Sequence, residues 1–276
     1  MHAIYSSISA ALADARHGAR VLVAPGRYNE SLLLDRPVTV EAFPEGADVE
    51  VYIDTQQPYQ HTVTITYDGT TPVTAGGGTQ QPATAGGGTQ QPTTTASAVT
   101  LSGLQLRHYS KSVADNCAVY ITAGSPVIRE CDISSSSGSG VAVEGARAPL
   151  LERCTLSRCA GHGCCVFGGL EGGPPTAPEL RSCVISGNRL DGLLVRTGGA
   201  PELTGCTLTG NGQYGVEVQD AGGSFTGNSV SSNGRGAFLV VPSADSMDSD
   251  ATGVAGLDAA ALLASNVVTG AVTVRG

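Results

Sequence analysis

The segments APELRSCVISG (177–187) and APELTGCTLTG (200–210) share one pattern, in which an apolar residue, a cysteine and a second apolar residue recur at fixed spacing. Three further segments follow the same pattern: SPVIRECDISS from 125, APLLERCTLSR from 148 and GSFTGNSVSSN from 223. The five segments begin 23, 29, 23 and 23 residues apart, and the longer interval contains LEGGPPT (170–176), which predicts an inserted loop. Self-similarity at a fixed period of this length indicates stacked structural repeats.

A second short apolar segment follows each repeat about a dozen residues later and predicts a second strand in each coil: GVAV (140–143), GCCV (163–166), GLLV (192–195), GVEV (215–218) and GAFL (236–239). The same pair occurs upstream as VTLSGLQLRHYS (99–110) and AVYI (118–121). The sequence therefore predicts an all-β fold, a right-handed parallel β-helix of about seven to nine coils with an N-terminal capping helix. The 38 glycines and the absence of Trp agree with a narrow solenoid that has many turns.

Alternation along the strands predicts columns of like residues that face the core, because successive side chains of a strand point to opposite sides. The first column is Ile128, Leu151, Leu180, Leu203 and Phe225. The second is Cys131, Cys154, Cys183, Cys206 and Asn228, and the third is Val143, Val166, Val195, Val218 and Leu239. We expect the cysteines to act as small apolar packing residues, because sulfurs in a linear stack cannot converge on a metal ion.

The remaining segments divide the chain into five parts. Residues 1–20 predict a short capping helix, with Ser6 or Ser7 as N-cap and Gly18 as its end, and residues 21–67 predict the first coils. Residues 68–97 contain TAGGGTQQP twice and predict a low-complexity insertion, which separates the first coils from the regular coils at 98–241. Residues 242–276 predict an acidic loop and one more coil, suggested by LLASNVVTG (262–270).

Composition and charge argue against nucleic-acid binding, membrane insertion and secretion. The net charge of −9 and the single lysine leave no basic stripe, so we expect no nucleic-acid partner. No apolar run is long enough to span a membrane, and the N-terminus lacks the apolar core of a secretion signal. Together with buried, reduced cysteines, this predicts a cytoplasmic protein.

One line of polar residues lies just before the second strand of successive coils and includes His162, Asp191, Tyr214 and Arg235. Arg196 and Glu217 occupy neighbouring outward positions. We interpret these six residues as a surface patch for a binding partner and assign no catalytic residue, metal site or cofactor. The string Cys159-x-x-His162-x-Cys164-Cys165 contains zinc ligand types, but strand alternation turns Cys164 and Cys165 to opposite faces.

The opening SSISAALADARHGARVLVAPGRYNESLLLDRPVTVEA (6–42) resembles the start of many carbohydrate-type β-helix domains. The later coils, with Gly-x-Pro-x-Leu-x-x-Cys-x-Ile followed by Gly-x-Gly-Val-x-Val, are most similar to eukaryotic intracellular members. These are the β-helix F-box proteins and the Shc-binding spindle and ciliary proteins. The resemblance implies a non-catalytic scaffold or protein-interaction module with protein partners, in a cytoskeletal or ciliary assembly.

Two alternatives remain open. The first is a polysaccharide-active enzyme, a lyase, epimerase or hydrolase of polyuronate. Against it, the sequence lacks Trp platforms for stacking sugars, and Gly161-His162-Gly163 resembles a fragment of the polygalacturonase signature without the acid pair of that family. A carbohydrate partner is therefore possible but not favoured. The second alternative is the substrate-recognition part of a ubiquitin ligase, although no F-box helical bundle precedes the first coil.

Overall fold

The computed structural model describes residues 3–55, 57, 59–69, 98–111, 116–145, 148–168, 175–242 and 257–275. The predicted insertion at 68–97 falls outside these ranges except for residues 68 and 69. Most of the loop at 170–176 and residues 243–256 of the predicted acidic loop also lie outside them.

Short parallel strands, numbered in chain order, form three sheets that run along one axis. Sheet 1 contains β1 (Ala19–Val23), β4 (Val38–Ala42), β7 (Thr100–Ser102), β10 (Val127–Arg129), β13 (Leu150–Glu152), β16 (Glu179–Arg181), β19 (Glu202–Thr204) and β22 (Ser224–Thr226). Sheet 2 contains β2 (Gly26–Asn29), β5 (Val49–Asp54), β8 (Gln105–Tyr109), β11 (Asp132–Ser135), β14 (Thr155–Ser157), β17 (Val184–Ser186), β20 (Thr207–Thr209), β23 (Ser229–Ser231) and β25 (Val267–Val268). Sheet 3 contains β3 (Leu32–Leu34), β6 (Val63–Ile65), β9 (Val119–Ile121), β12 (Val141–Glu144), β15 (Cys164–Phe167), β18 (Leu193–Arg196), β21 (Tyr214–Gln219), β24 (Gly236–Val241) and β26 (Val272–Val274).

The predicted β-helix is confirmed, and its eight or nine coils agree with the predicted number. The regular coils have three strands each, because every repeat segment contains two strands and the short apolar segment that follows it forms the third. The chain bends inside each repeat segment, just before the cysteine, where the backbone takes a positive φ at Glu130 (55°), Arg153 (51°) and Ser182 (52°). Glycine occupies this corner in other coils, at Gly205 and Gly227, because it adopts positive φ without steric cost.

The inward columns are confirmed with one correction. The column from Ile128 to Phe225 is in register and buried, and so are the cysteines of the second column and Asn228. In the third column Val218 pairs with Val240, whereas Leu239 pairs with Glu217 on the outer face. The prediction that Leu239 belongs to this inward column was wrong, because β21 and β24 are offset by 22 residues, with Tyr214 opposite Gly236.

A short helix covers each end of the described solenoid. Helix α1 (Ile8–Asp14) begins after the N-cap Ser7, whose hydroxyl accepts a hydrogen bond from the backbone N–H of Ala10. It buries Ile8 against the first coil but ends at Asp14, before the predicted Gly18, because Ala15 is already extended. Helix α2 (Ala259–Ser265) packs against β22, so LLAS of the predicted last coil is helical and only β25 and β26 extend the sheets.

Candidate active site

The outer face of sheet 3 positions the predicted polar residues. His162 and Asp191 lie just before β15 and β18, Tyr214 opens β21, and Arg235 lies just before β24. Because these strands are consecutive in sheet 3, the four residues form a row that advances by one coil, about 4.8 Å, at each step. The predicted line is therefore present in the structure.

Asp191 is the centre of this row and is only 1% exposed. One carboxylate oxygen, Oδ1, accepts a hydrogen bond of 2.7 Å from the backbone N–H of Tyr214 in the next coil. The other, Oδ2, lies 3.0 Å from Nδ1 of His162 in the preceding coil. The prediction of a surface patch was wrong for Asp191, because its carboxylate is buried and joins three coils.

His162 is held both at its imidazole and at its backbone. Its Nδ1 contacts the Asp191 carboxylate and also lies 3.2 Å from the Asp191 backbone N–H. The backbone N–H of His162 donates to Oγ of Ser139, 3.2 Å away. The side chain is 16% exposed, so the ring lies at the edge of the protein surface.

Glu217 is the second buried acid and lies in β21, opposite Leu194 and Leu239. It is 8% exposed, and Nε2 of Gln219 donates a hydrogen bond to its Oε1. Burial raises the pKa of Glu217, and the negative charge of Asp191 raises it further. The hydrogen bond from Gln219 and the charge of His162 oppose this rise in pKa without cancelling it. Glu217 therefore keeps its proton to a higher pH than an ordinary glutamic acid.

A surface cleft of about 590 Å³ opens beside Glu217 at the C-terminal end of sheet 3. It contains both acidic and basic groups, two glutamine amides and an apolar wall. The lining residues are Gln213, Tyr214, Glu217, Gln219, Asp220, Arg235, Leu239, Val241, Pro242 and Arg275. This combination suits a polar ligand with many hydroxyl groups and at least one anionic group, because amides bind hydroxyls and guanidinium groups bind carboxylates.

Three of the six predicted residues line this cleft, namely Tyr214, Glu217 and Arg235, while His162 and Asp191 lie behind them. Arg196 stays apart. It is exposed in β18, where its register partners are Phe167 and Gln219, and it is not among the residues that line the cleft.

Sequence reasoning missed Gln213, Asp220 and Arg275 as cleft residues. The register gives a signal for the first two, because they flank the predicted strand GVEV. No comparable signal exists for Arg275, which reaches the cleft because β26 pairs with β24 although the repeat pattern is weak there.

The cysteine and histidine string does not form one cluster. Cys164 is fully buried in the main core, whereas Cys165 lies in a second apolar cluster on the outer face, with its Sγ 3.2 Å from Oγ of Ser139. Within the described ranges, no three His, Cys, Asp or Glu side chains are grouped so that they could hold a metal ion. None of the described helices is long and apolar enough to cross a membrane.

Two family models match the chain. One is described as "Right handed beta helix region" and matches residues 93–247, and the other is a protein family of unknown function, DUF1565, which matches residues 2–157. A comparison with solved structures finds the crystal structure of pectate lyase Pel9A, with 14% sequence identity and a TM-score of 0.47. That match covers 86% of this chain and 70% of the other. No curated protein matches the chain.

Proposed function

We propose that this chain, which belongs to the right-handed β-helix family and to DUF1565, is a polysaccharide-active enzyme in which Glu217 donates a proton in the cleft beside sheet 3. In this proposal Tyr214, Glu217 and Arg235 of the predicted binding patch belong to a reactive site, with His162 and Asp191 in the preceding coils, and Arg196 lies outside it. The observation that carries this proposal is Glu217 itself, a buried acid in the cleft wall whose pKa is raised by burial and by the charge of Asp191.

Hydrolysis of a glycosidic bond needs a carboxylic acid that is still protonated at the working pH to protonate the leaving oxygen, and a carboxylate to activate the attacking water. An exposed glutamic acid is ionised at neutral pH. Glu217 meets the requirement better, because burial and the Asp191 charge both raise its pKa. Its position in the lining of the cleft gives a ligand access to that proton.

The other cleft residues supply binding contacts. Arg235 and Arg275 are exposed cations that can pair with the carboxylate of an acidic sugar. Gln213 can bind sugar hydroxyls, and Tyr214 offers a ring face for a sugar to stack on. These groups favour a polyuronate over a neutral polysaccharide.

The test is incubation of the purified protein with pectate, alginate and polygalacturonate, with and without calcium. New reducing ends report cleavage, and the ultraviolet absorbance of unsaturated ends separates a lyase from a hydrolase. We expect turnover of at least one polymer and its loss in Glu217→Gln. The matched control is Glu202→Gln, which makes the same chemical change at an exposed position of sheet 1. No turnover by the wild type, or equal activity of the two variants, would contradict the proposal.

A docking scaffold is the second candidate, and the length of the polar row supports it. The row from His162 to Arg235 spans four coils, and exposed Arg196 lies on the same face, so an elongated protein partner could bind along the axis. The resemblance to spindle and ciliary β-helix proteins suggests a cytoskeletal partner. The test is direct binding of an identified partner to purified chain, which Arg196→Glu should abolish and Arg181→Glu, on sheet 1, should leave intact. Equal binding by both variants excludes this face.

A further inference from the structure

The cleft beside sheet 3 contains a second acid. Among the described residues that line it, only Glu217 and Asp220 carry a carboxyl group. Asp220 is exposed and directly follows β21, and its backbone N–H donates a hydrogen bond of 2.9 Å to the carbonyl of Val241 in the next coil. Within the described ranges, no hydrogen bond or ion pair engages its carboxylate. This carboxylate can therefore bind a water molecule or a ligand in the cleft.

The backbone of Asp220 has a conformation that glycine adopts in an earlier coil. Asp220 follows Gln219 as Gly145 follows Glu144, because β12, β15, β18 and β21 pair in register. Both residues take a positive φ, 48° at Asp220 and 65° at Gly145. Glycine takes such a φ without steric cost, whereas other residues are strained there, aspartate less than most. A strained acid at a position where glycine would build the turn indicates a role in the cleft.

The two cleft acids differ in their surroundings. Glu217 is buried, and Nε2 of Gln219 donates a hydrogen bond to its Oε1. Asp220 lies in solvent at the end of the same strand, and exposed carboxyl groups are ionised at neutral pH. Two acids in one site with such different surroundings are suited to opposite tasks, one giving a proton and the other taking one.

Strand geometry sets the distance between these two acids. Glu217 and Asp220 are three residues apart, and the two residues between them belong to β21. Three steps of extended chain separate their Cα atoms by about 10 Å. Carboxyl groups about 6.5–9.5 Å apart leave room for a water molecule, whereas a carboxylate that attacks the sugar itself lies only about 5 Å from the acid. The spacing therefore favours attack by water.

We propose that Asp220 is the catalytic base of the cleft and activates water to hydrolyse a polyuronate, with inversion of configuration at the cleaved carbon. The Asp220 carboxylate takes a proton from the water, whose oxygen attacks the anomeric carbon. The bond from this carbon to the leaving oxygen breaks, Glu217 gives that oxygen its proton, and exchange with solvent restores both acids. This inference rests on the proposed function and deepens it, because it names the second reacting group and the type of cleavage.

The test is turnover of pectate, alginate and polygalacturonate by the purified chain and its variants. Asp220→Asn keeps the shape of the side chain but not its basicity, so kcat should fall by about 10²–10⁴-fold while KM changes little. The matched control Asp54→Asn makes the same change at the exposed end of β5 and should leave turnover unchanged. Proton NMR of the first products should show new chain ends with the anomeric configuration opposite to that of the cleaved bond.

Asp220→Gly separates catalysis from folding. Glycine accepts the φ of 48° without strain, so the variant should resist urea at least as well as the wild type and still lose turnover. Sodium azide should restore its turnover and form a sugar azide, because azide attacks without a proton to lose. Lost turnover that azide does not restore would assign Asp220 a structural role and overturn the inference.

Three further results would overturn the inference: full turnover by Asp220→Asn, unsaturated product ends, or products that keep the configuration of the cleaved bond. If turnover depends on Glu217 and one of these results is found, the inference alone fails. Absence of turnover in the wild type, or full activity of Glu217→Gln, removes the proposed function and the inference with it.

Discussion

Asn228→Ala tests how the corner between sheets 1 and 2 is held together. In the native chain Oδ1 of Asn228 accepts the backbone N–H of Cys206 at 2.8 Å, and Nδ2 donates to the carbonyl of Leu203 at 3.0 Å. Both backbone groups belong to the preceding coil. The column continues at Asn266, whose Oδ1 accepts the backbone N–H of Asn228 at 3.0 Å.

Cysteine takes the place of asparagine in the earlier coils and makes longer bonds. Sγ of Cys206 accepts the backbone N–H of Cys183 at 3.4 Å and donates to the carbonyl of Leu180 at 3.3 Å. Thiols are weak donors and acceptors, so each cysteine should contribute less to the corner than each asparagine. The amide and the thiol occupy equivalent positions, and each is therefore the control for the other.

The expected cost follows from the number of backbone groups that lose a partner. Asn228→Ala leaves the buried N–H of Cys206 without an acceptor, at about 1–3 kcal/mol, and removes one hydrogen bond to the Leu203 carbonyl, at about 1 kcal/mol, so we expect a loss of about 2–4 kcal/mol. Cys206→Ala removes only weak sulfur contacts and a small apolar volume, for which we expect about 1 kcal/mol. Asn228→Cys should lie between these two values.

Hydrogen exchange measured amide by amide is the suitable assay, because a solenoid can open coil by coil. In Asn228→Ala the amide of Cys206 should lose protection while that of Cys183 keeps its acceptor. In Cys206→Ala the pattern should reverse, because Asn228 still accepts the N–H at position 206. Urea unfolding gives the overall loss of stability. If Cys206→Ala costs as much as Asn228→Ala, or the two exchange patterns coincide, the amide column does not hold this corner.

Three further predictions concern the backbone and the thiols. Ser182→Gly should raise the free energy of unfolding by about 0.5 kcal/mol in urea titrations. Ser182 has a φ of 52°, and the strain that glycine relieves there exceeds its cost in backbone entropy. A lower free energy of unfolding in the variant would contradict this prediction. Gly163→Ala should lower it by about 1–3 kcal/mol, since a Cβ would lie 2.4 Å from Cγ2 of Ile185 and 2.7 Å from the carbonyl of Gly192; unchanged stability would show that the coils can separate there. Burial raises the pKa of the Cys159 thiol to about 11, so this thiol ionises earlier in the unfolded chain than in the folded one. The contribution of this thiol to stability should therefore be complete below pH 9 and decline between about pH 9 and 11. The free energy of unfolding should fall over this pH range more in the wild type than in Cys159→Ala.

The fold could be predicted from the sequence because a stack of coils repeats the same burial pattern. Each inward position is sampled several times, so the column from Ile128 to Phe225 is visible without any knowledge of the sheets. The third strand per coil could not be seen in the same way. A single residue with positive φ, such as Arg153, divides an apolar segment into two strands, and arginine carries no turn signal.

The row of the candidate site could also be predicted, since His162, Asp191, Tyr214 and Arg235 recur at the same position of each coil. The burial of Asp191 within this row could not be predicted. Turn residues are usually exposed and polar, and only the contacts to the neighbouring coils show that Asp191 is enclosed. Leu239 was misplaced for a related reason, because the one-residue difference in coil length near the end changes the face on which a side chain lies.

The same stacking that builds the core also creates the acid pair. Asp191 lies before β18, and Glu217 lies in the adjacent strand β21, opposite Leu194. Adjacent strands are about 4.8 Å apart, and Glu217 lies three residues beyond Tyr214, whose backbone N–H the Asp191 carboxylate accepts, so the charge of Asp191 acts on Glu217 from the preceding coil. Burial favours the protonated form of Glu217, and the negative charge of Asp191 adds to this effect. His162 and the Tyr214 N–H both contact Asp191, whereas Glu217 lies at the wall of the cleft. In a β-helix, a buried acid in one coil can therefore raise the pKa of an acid in the next coil, without the separate loops on which other folds carry their reactive groups.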